Sequence, residues 1–119
     1  MNLPSRIFVI IAHVKSYADP IAAKKGDVVT LSGKTDIWDG RSWLWAAAPD
    51  GREGWVPDGL IEAASPQKAN RDYSAEELSC VRGEELQVIE QGHGWAWCRN
   101  GTGVQGWVPL RNLAEGRRG

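Results

Sequence analysis

The sequence predicts an all-β chain folded as two tandem small β-barrels joined by a short linker. Three observations carry that prediction. Residues 40–57, GRSWLWAAAPDGREGWVP, return at 92–109 as GHGWAWCRNGTGVQGWVP, with Gly, Trp-x-Trp, Gly and Gly-Trp-Val-Pro at the same offsets. Six of the seven tryptophans fall in these two segments. The rest of the chain consists of short β-branched runs between turn residues, with no helical period. Self-similarity at a spacing of about 50 residues marks duplicated structural units. The repeat therefore divides the chain into 6–62, a linker at 63–68, and 69–114. Each half lies near the lower size limit for a stable core, and buried tryptophan offsets that by removing roughly 150–250 Å² apiece from water.

Taken in order, residues 1–5 read as a loose terminus. Residues 7–12 (IFVIIA) are apolar on both faces of any strand they form, which implies a second cover beyond one barrel. Residues 13–23 read as an irregular hairpin loop. Lys25-Gly26-Asp27 is a turn into a strand at 28–31. Residues 32–42 read as a polar loop carrying Trp38, and 43–48 as the next strand. Asp50-Gly51 suits a two-residue primed turn, because both residues tolerate positive φ. Residues 54–56 return as the partner strand, which Pro57 ends by withholding a ladder donor. The second repeat follows the same plan: loop at 69–77, turn at 82–84, strand at 86–89, then a loop at 91–94 five residues shorter than its counterpart. Equivalent residues are 57 apart before that loop and 52 apart after it, which places the whole length difference there. The tail after Leu113 reads as disordered.

Composition excludes several functions. Lys+Arg number 14 and Asp+Glu 15, so no basic excess exists to neutralise phosphates, and nucleic-acid binding is not expected. The apolar run at 7–12 is too short to span a bilayer and lacks the features of a secretory leader, so no membrane association and a cytoplasmic location are expected. Cys80 and Cys98 both lie in the second repeat, and reduced core thiols are expected there rather than a disulfide. No CxxC or HxxxH spacing relates His13, His93, Cys80 and Cys98, so no metal site is expected. No phosphate loop and no oriented nucleophile–base pair occur, so no cofactor and no enzymatic activity are expected.

Ordered this way, each repeat resembles a Src-homology-3 (SH3) domain, whose signature runs "ALYDY", "ELSFxKGD", a Trp-rich strand and "GxxPxNY". In the second repeat these fall at Ala69-Asn70-Arg71-Asp72-Tyr73, Glu77-Leu78-Ser79-Cys80-Val81-Arg82-Gly83-Glu84, Trp95 and Gly106-Trp107-Val108-Pro109. In the first they fall at Ala12-His13-Val14-Lys15-Ser16, Ile21-Ala22-Ala23-Lys24-Lys25-Gly26-Asp27, Trp43 and Gly54-Trp55-Val56-Pro57. The wording is most similar to bacterial tandem SH3-type proteins. The resemblance implies an aromatic groove for proline-rich helices, flanked by acids that select a basic residue. By position the groove would hold Trp43, Pro57 and the neighbouring Tyr17 in the first repeat, and Tyr73, Trp95 and Pro109 in the second. The acids would be Asp19, Asp36 and Asp39, and then Asp72, Glu76 and Glu77. The first family tyrosine is replaced by Val14 and Arg71, the second by Ser16 in the first repeat, and the closing one by Leu60 and Asn112.

The Trp-x-Trp pairs at 43/45 and 95/97 point each pair to one strand face, so at least one ring per repeat is expected to be accessible. Trp55 and Trp107 are expected to pack structurally. The function implied is a non-enzymatic adaptor that binds a protein or peptide, proline-rich or basic, through Trp-lined grooves. Two further readings are an assembly subunit, with homo-oligomer contacts through residues 7–11, and a cell-wall glycan binder.

Overall fold

The computed structural model describes residues 6–116. The chain is all-β, with strands β1 (Arg6–Val9), β2 (Ala22–Ala23), β3 (Thr30–Trp38), β4 (Arg41–Ala47), β5 (Glu53–Pro57), β6 (Tyr73–Ser74), β7 (Glu85–Gly92), β8 (Trp95–Arg99), β9 (Gln105–Pro109) and β10 (Leu113–Gly116). Two 3-10 turns, Asp58–Leu60 and Leu110–Asn112, follow Pro57 and Pro109. The proline at each site fixes φ near −60° and withholds an amide, which ends the ladder and starts the turn. The disorder expected after Leu113 does not hold for 114–116, which pair with β1 as part of β10. The terminal stretches at 1–5 and 117–119 lie outside the described residues.

Two compact units form, and they do not coincide with the two sequence repeats. Tyr17–Glu76 is one uninterrupted unit, and, among the described residues, 6–16 join 77–116 in the other. We call them the continuous and the split unit. In the split unit a five-stranded sheet runs β10-β1-β7-β8-β9. In the continuous unit β3-β4-β5 form one sheet and β2-β6 a second. The sheets are open rather than closed barrels: beyond β9 the split unit offers only an isolated parallel bridge from Glu77 to Trp107.

Hydrogen bonds show how each repeat supplies its first strand to the other repeat's sheet. Val9 N–H donates to Glu84 O at 2.9 Å, and Ala69 N–H donates to Asp27 O at 3.0 Å. His13 exchanges both backbone bonds with Cys80, as Tyr73 pairs with Ala23. Val9 and His13 are therefore the counterparts of Ala69 and Tyr73. This corrects the alignment of Ala12–Ser16 with Ala69–Tyr73 by three residues, and a second length difference lies in the segment after the first strand. The segment read as a linker instead connects Ile61 to Ala69 within the continuous unit, where those two residues bridge. A few residues suffice because the last and first strands of this fold lie side by side, as β10 and β1 do in the split unit.

The long first-repeat "loop" at 32–42 is a hairpin. β3 and β4 pair out to Trp38 opposite Arg41, closed by Asp39-Gly40 at φ 51° and 75°. β7 and β8 close the same way through His93-Gly94 at φ 56° and 86°, the signature of a primed two-residue turn. The Asp50-Gly51 turn differs from expectation. Gly51 alone has positive φ (88°), and Ala48 and Arg52 pair around three residues. This is a type I turn followed by a left-handed glycine.

Alternation along β4 and β5 sends Ala46 and Val56 inward with Ile21, Val29, Ala48, Leu60 and Ala69. The split unit's core is Val9, Leu78, Cys80, Leu86, Ala96, Cys98 and Val108. Both cysteines are buried free thiols. Phe8 is half-buried, its ring against Gly116, where a methyl group would stand 2.5 Å from it. β1 is bonded on both edges, to β7 and β10, so strand addition by another copy has no free edge there.

Candidate functional site

The opposite faces of β4–β5 and β8–β9 carry the tryptophans. Register places Trp43 opposite Pro57 and Trp45 opposite Trp55, and likewise Trp95 opposite Pro109 and Trp97 opposite Trp107. Because side chains two apart share a face, each hairpin sets three indoles and one proline on the same face, with both prolines buried beneath the rings. Trp45 and Trp55 meet edge to face, centroids 5.1 Å apart and planes at 79°. Trp97 and Trp107 do the same at 5.2 Å and 76°. Edge-to-face contact aligns the positive rim of one ring with the negative face of the other. Trp55 and Trp107, expected to be purely structural, are thus half-exposed partners on the same surface.

In the continuous unit Tyr17, 43% exposed, sets its ring against Trp45 at 5.7 Å. Trp45 Nε1–H donates to Glu53 Oε1 at 3.1 Å. Trp43 is buried at 8% exposure, so Trp45 and Trp55 rather than Trp43 present the accessible rings. Lys34 Nζ stands 5.2 Å from the Trp45 centroid and 5.8 Å from that of Trp55. Tyr73 belongs to this unit, where its hydroxyl donates to Trp55 O at 3.5 Å.

In the split unit the residue beside Trp95 is His13, its ring edge-on at 5.6 Å. His13 Nε2 lies 2.7 Å from Glu77 Oε1, with both side chains largely buried, and Ser16 Oγ–H donates to the same carboxylate oxygen at 3.2 Å. Trp97 Nε1–H donates to Gln105 Oε1 at 2.8 Å. At the side chain bonded to this indole the two surfaces differ in charge, Glu53 against Gln105.

The exchange of first strands regroups the residues predicted from sequence. Tyr73, Asp72 and Glu76 fall in the continuous unit with Trp43 and Pro57, not beside Trp95 and Pro109. Asp72 accepts from Lys25 N–H at 2.9 Å, and half-buried Glu76 ends the unit. Asp36 lies opposite Trp43 in β3, and Asp39 occupies the β3–β4 turn. Asp19 accepts from Arg52 at 3.2 Å. Arg52 also binds Asp50 at 2.9 Å, and its backbone N–H and guanidinium hold the Asp50 carboxyl below its ordinary range. His13, Trp45, Trp55, Trp97, Trp107 and Lys34 were not among the predicted groove residues. The strand alternation that pairs Trp45 with Trp55 was the signal for four of them.

A family model described as "Variant SH3 domain" matches residues 8–63 and again 67–116. The chain belongs to the variant SH3 family. Searches of curated proteins and of solved structures return no match. Both variant SH3 matches follow the sequence repeats, whereas the compact units recombine them. The aromatic cluster of each compact unit therefore draws on both repeats, His13 meeting Trp95 and Tyr73 meeting Trp55. With equivalences corrected, Ile11 and Arg71 stand at the first family tyrosine, and His13 and Tyr73 at the second. At the closing tyrosine stand Leu60, fully buried, and Asn112, 6% exposed, whose amide donates to Ala12 O at 3.4 Å. Variant SH3 domains are in general protein-binding modules without catalytic activity. Among the described residues no group of three His, Cys, Asp or Glu could hold a metal ion, and no helix is long and apolar enough to cross a membrane.

Proposed function

We propose that the chain is a non-catalytic adaptor that grips an extended partner segment carrying Lys or Arg against its two tryptophan faces. The observation that carries this reading is the pair of edge-to-face indoles on an outward hairpin face, present in both units. Tryptophan is the residue most enriched at binding hot spots because one ring covers much area at little entropic cost. In the continuous unit the contact surface comprises Tyr17, Trp45, Trp55 and Tyr73 over a floor of buried Trp43 and Pro57, with Asp36, Asp39 and Asp72 supplying negative charge. In the split unit it comprises His13, Trp95, Trp97 and Trp107, with Pro109 buried beneath them. A slot lacking the first family tyrosine has one flat wall fewer, which favours short basic segments over long polyproline helices. A cytoplasmic setting fits two buried cysteines held as thiols.

The test is titration of the chain with a library of basic and proline-rich peptides, followed by tryptophan fluorescence. Binding should weaken by about 2 kcal/mol, the usual hot-spot loss, in Trp45→Ala for the continuous unit and in Trp97→Ala for the split unit. A library that produces no spectral change, or binding untouched by either variant, overturns the reading.

A further inference from the structure

The two hairpins differ where β3 and β7 leave the ladder. In the continuous unit Leu31 pairs with Ala46 and Thr35 with Leu44, so Ser32, Gly33 and Lys34 bulge opposite the single residue Trp45. In the split unit Val88 pairs with Cys98 and Glu90 with Trp97, so the bulge is Ile89 alone. The larger bulge is a built feature: Gly33 takes φ 89°, and Ser32 Oγ accepts from Lys34 N–H at 3.1 Å. It delivers the Lys34 ammonium to the notch between two indoles set at 79°. Two perpendicular π faces around one cation are two walls of an aromatic cage. Glu53, bonded to the Trp45 indole N–H, adds negative charge at the rim, where the split unit has neutral Gln105.

We propose that the Trp45–Trp55 notch is an alkylammonium-binding site that Lys34 fills in cis, and that a lysine side chain of a partner protein binds there by displacing it. The continuous unit is then self-competed: its bulge lysine lowers the apparent affinity for any cationic group. The split unit carries an uncharged isoleucine at the matching bulge and lacks that competitor. This deepens the function proposed above and depends on it only for the biological source of the lysine.

The probe is tetramethylammonium chloride, with sodium chloride at equal ionic strength as control. NMR would follow the indole N–H signals of Trp45 and Trp55 in the full chain, in Lys34→Gln and in Lys34→Arg. Lys34 is exposed on a bulge, so neither substitution removes core packing. Before titration, the Lys34 ε-methylene protons should be shifted upfield by the indole ring currents. Lys34→Gln should then bind the probe about two- to five-fold more tightly than the native chain, the factor that an exposed cation–π contact is worth. Lys34→Arg should stay close to native. Absence of the upfield shift, equal affinity in native and Lys34→Gln chains, or no response at either indole would overturn the proposal. Probe binding with the expected ratio, alongside peptides that fail to bind, would retain the cation site while removing the peptide-adaptor reading.

Discussion

Single residues report how tightly each unit is built. A methyl group at Gly106 would stand 2.6 Å from the backbone of Glu77 and Leu78, whereas one at Gly54 would meet the Ile21 side chain at 2.9 Å and its backbone nitrogen at 3.2 Å. Backbone cannot yield as a side-chain terminus can, so Gly106→Ala should destabilise the split unit by about 3 kcal/mol and Gly54→Ala by about half that. Urea unfolding of the two variants checks the order. Burial pushes the Cys98 thiol from 9.0 up to about 11, with Cys80 nearby adding to it, and burial also raises Cys80. A thiol that stays protonated in the fold while the unfolded form ionises stabilises fully below pH 9, and that contribution falls as pH climbs toward 11. The urea midpoint should therefore drop between pH 9 and 11, and Cys98→Ala should flatten the drop. With burial holding the Cys98 thiol protonated near neutral pH, alkylation of the native chain at pH 8 should be slow until it unfolds.

Among elements, the hairpins show what could be read from sequence and what could not. The Gly-Trp-Val-Pro strands and the Trp-x-Trp strands were legible because period-two alternation fixes which side chains share a face, whatever the surrounding fold. Residues 32–42 were not legible as a hairpin, since their polar composition matches a loop as well as a solvent-facing strand pair. Asp39-Gly40 was the signal available there. Gly40 at φ 75° should lose about 1 kcal/mol on substitution by Ala, since left-handed backbone is strained in any residue with a Cβ. Gly59, with ordinary φ and open space around it, should tolerate Ala. Comparing thermal midpoints of the two variants checks this. The first strand was misplaced by three residues because Ala12 imitates Ala69 in the repeat, while its true counterpart, Val9, matches only in burial. His13 escaped notice for the same reason, since histidine stands where the second repeat has Tyr73.

At the scale of the molecule, no local pattern distinguishes a repeat that keeps its first strand from one that lends it to its neighbour. Both strands offer the same backbone donors and a small apolar contact, so the recombined units were beyond the reach of sequence reasoning. They make a specific prediction: a fragment of residues 17–76 contains β2 to β6 and its whole buried cluster. It should fold cooperatively alone, as circular dichroism and a single sigmoidal melt would show. The chain order, with 17–76 inserted between the two parts of the split unit, also governs the response to tension. Arg6 and Gly116 are direct neighbours across an antiparallel pair, so handles attached there would peel that pair open one rung at a time, as a zip opens. Load would pass the Ser16–Tyr17 and Glu76–Glu77 junctions only after the split unit had ruptured, leaving the lysine-capped notch sheltered until the second step of an optical-tweezers trace.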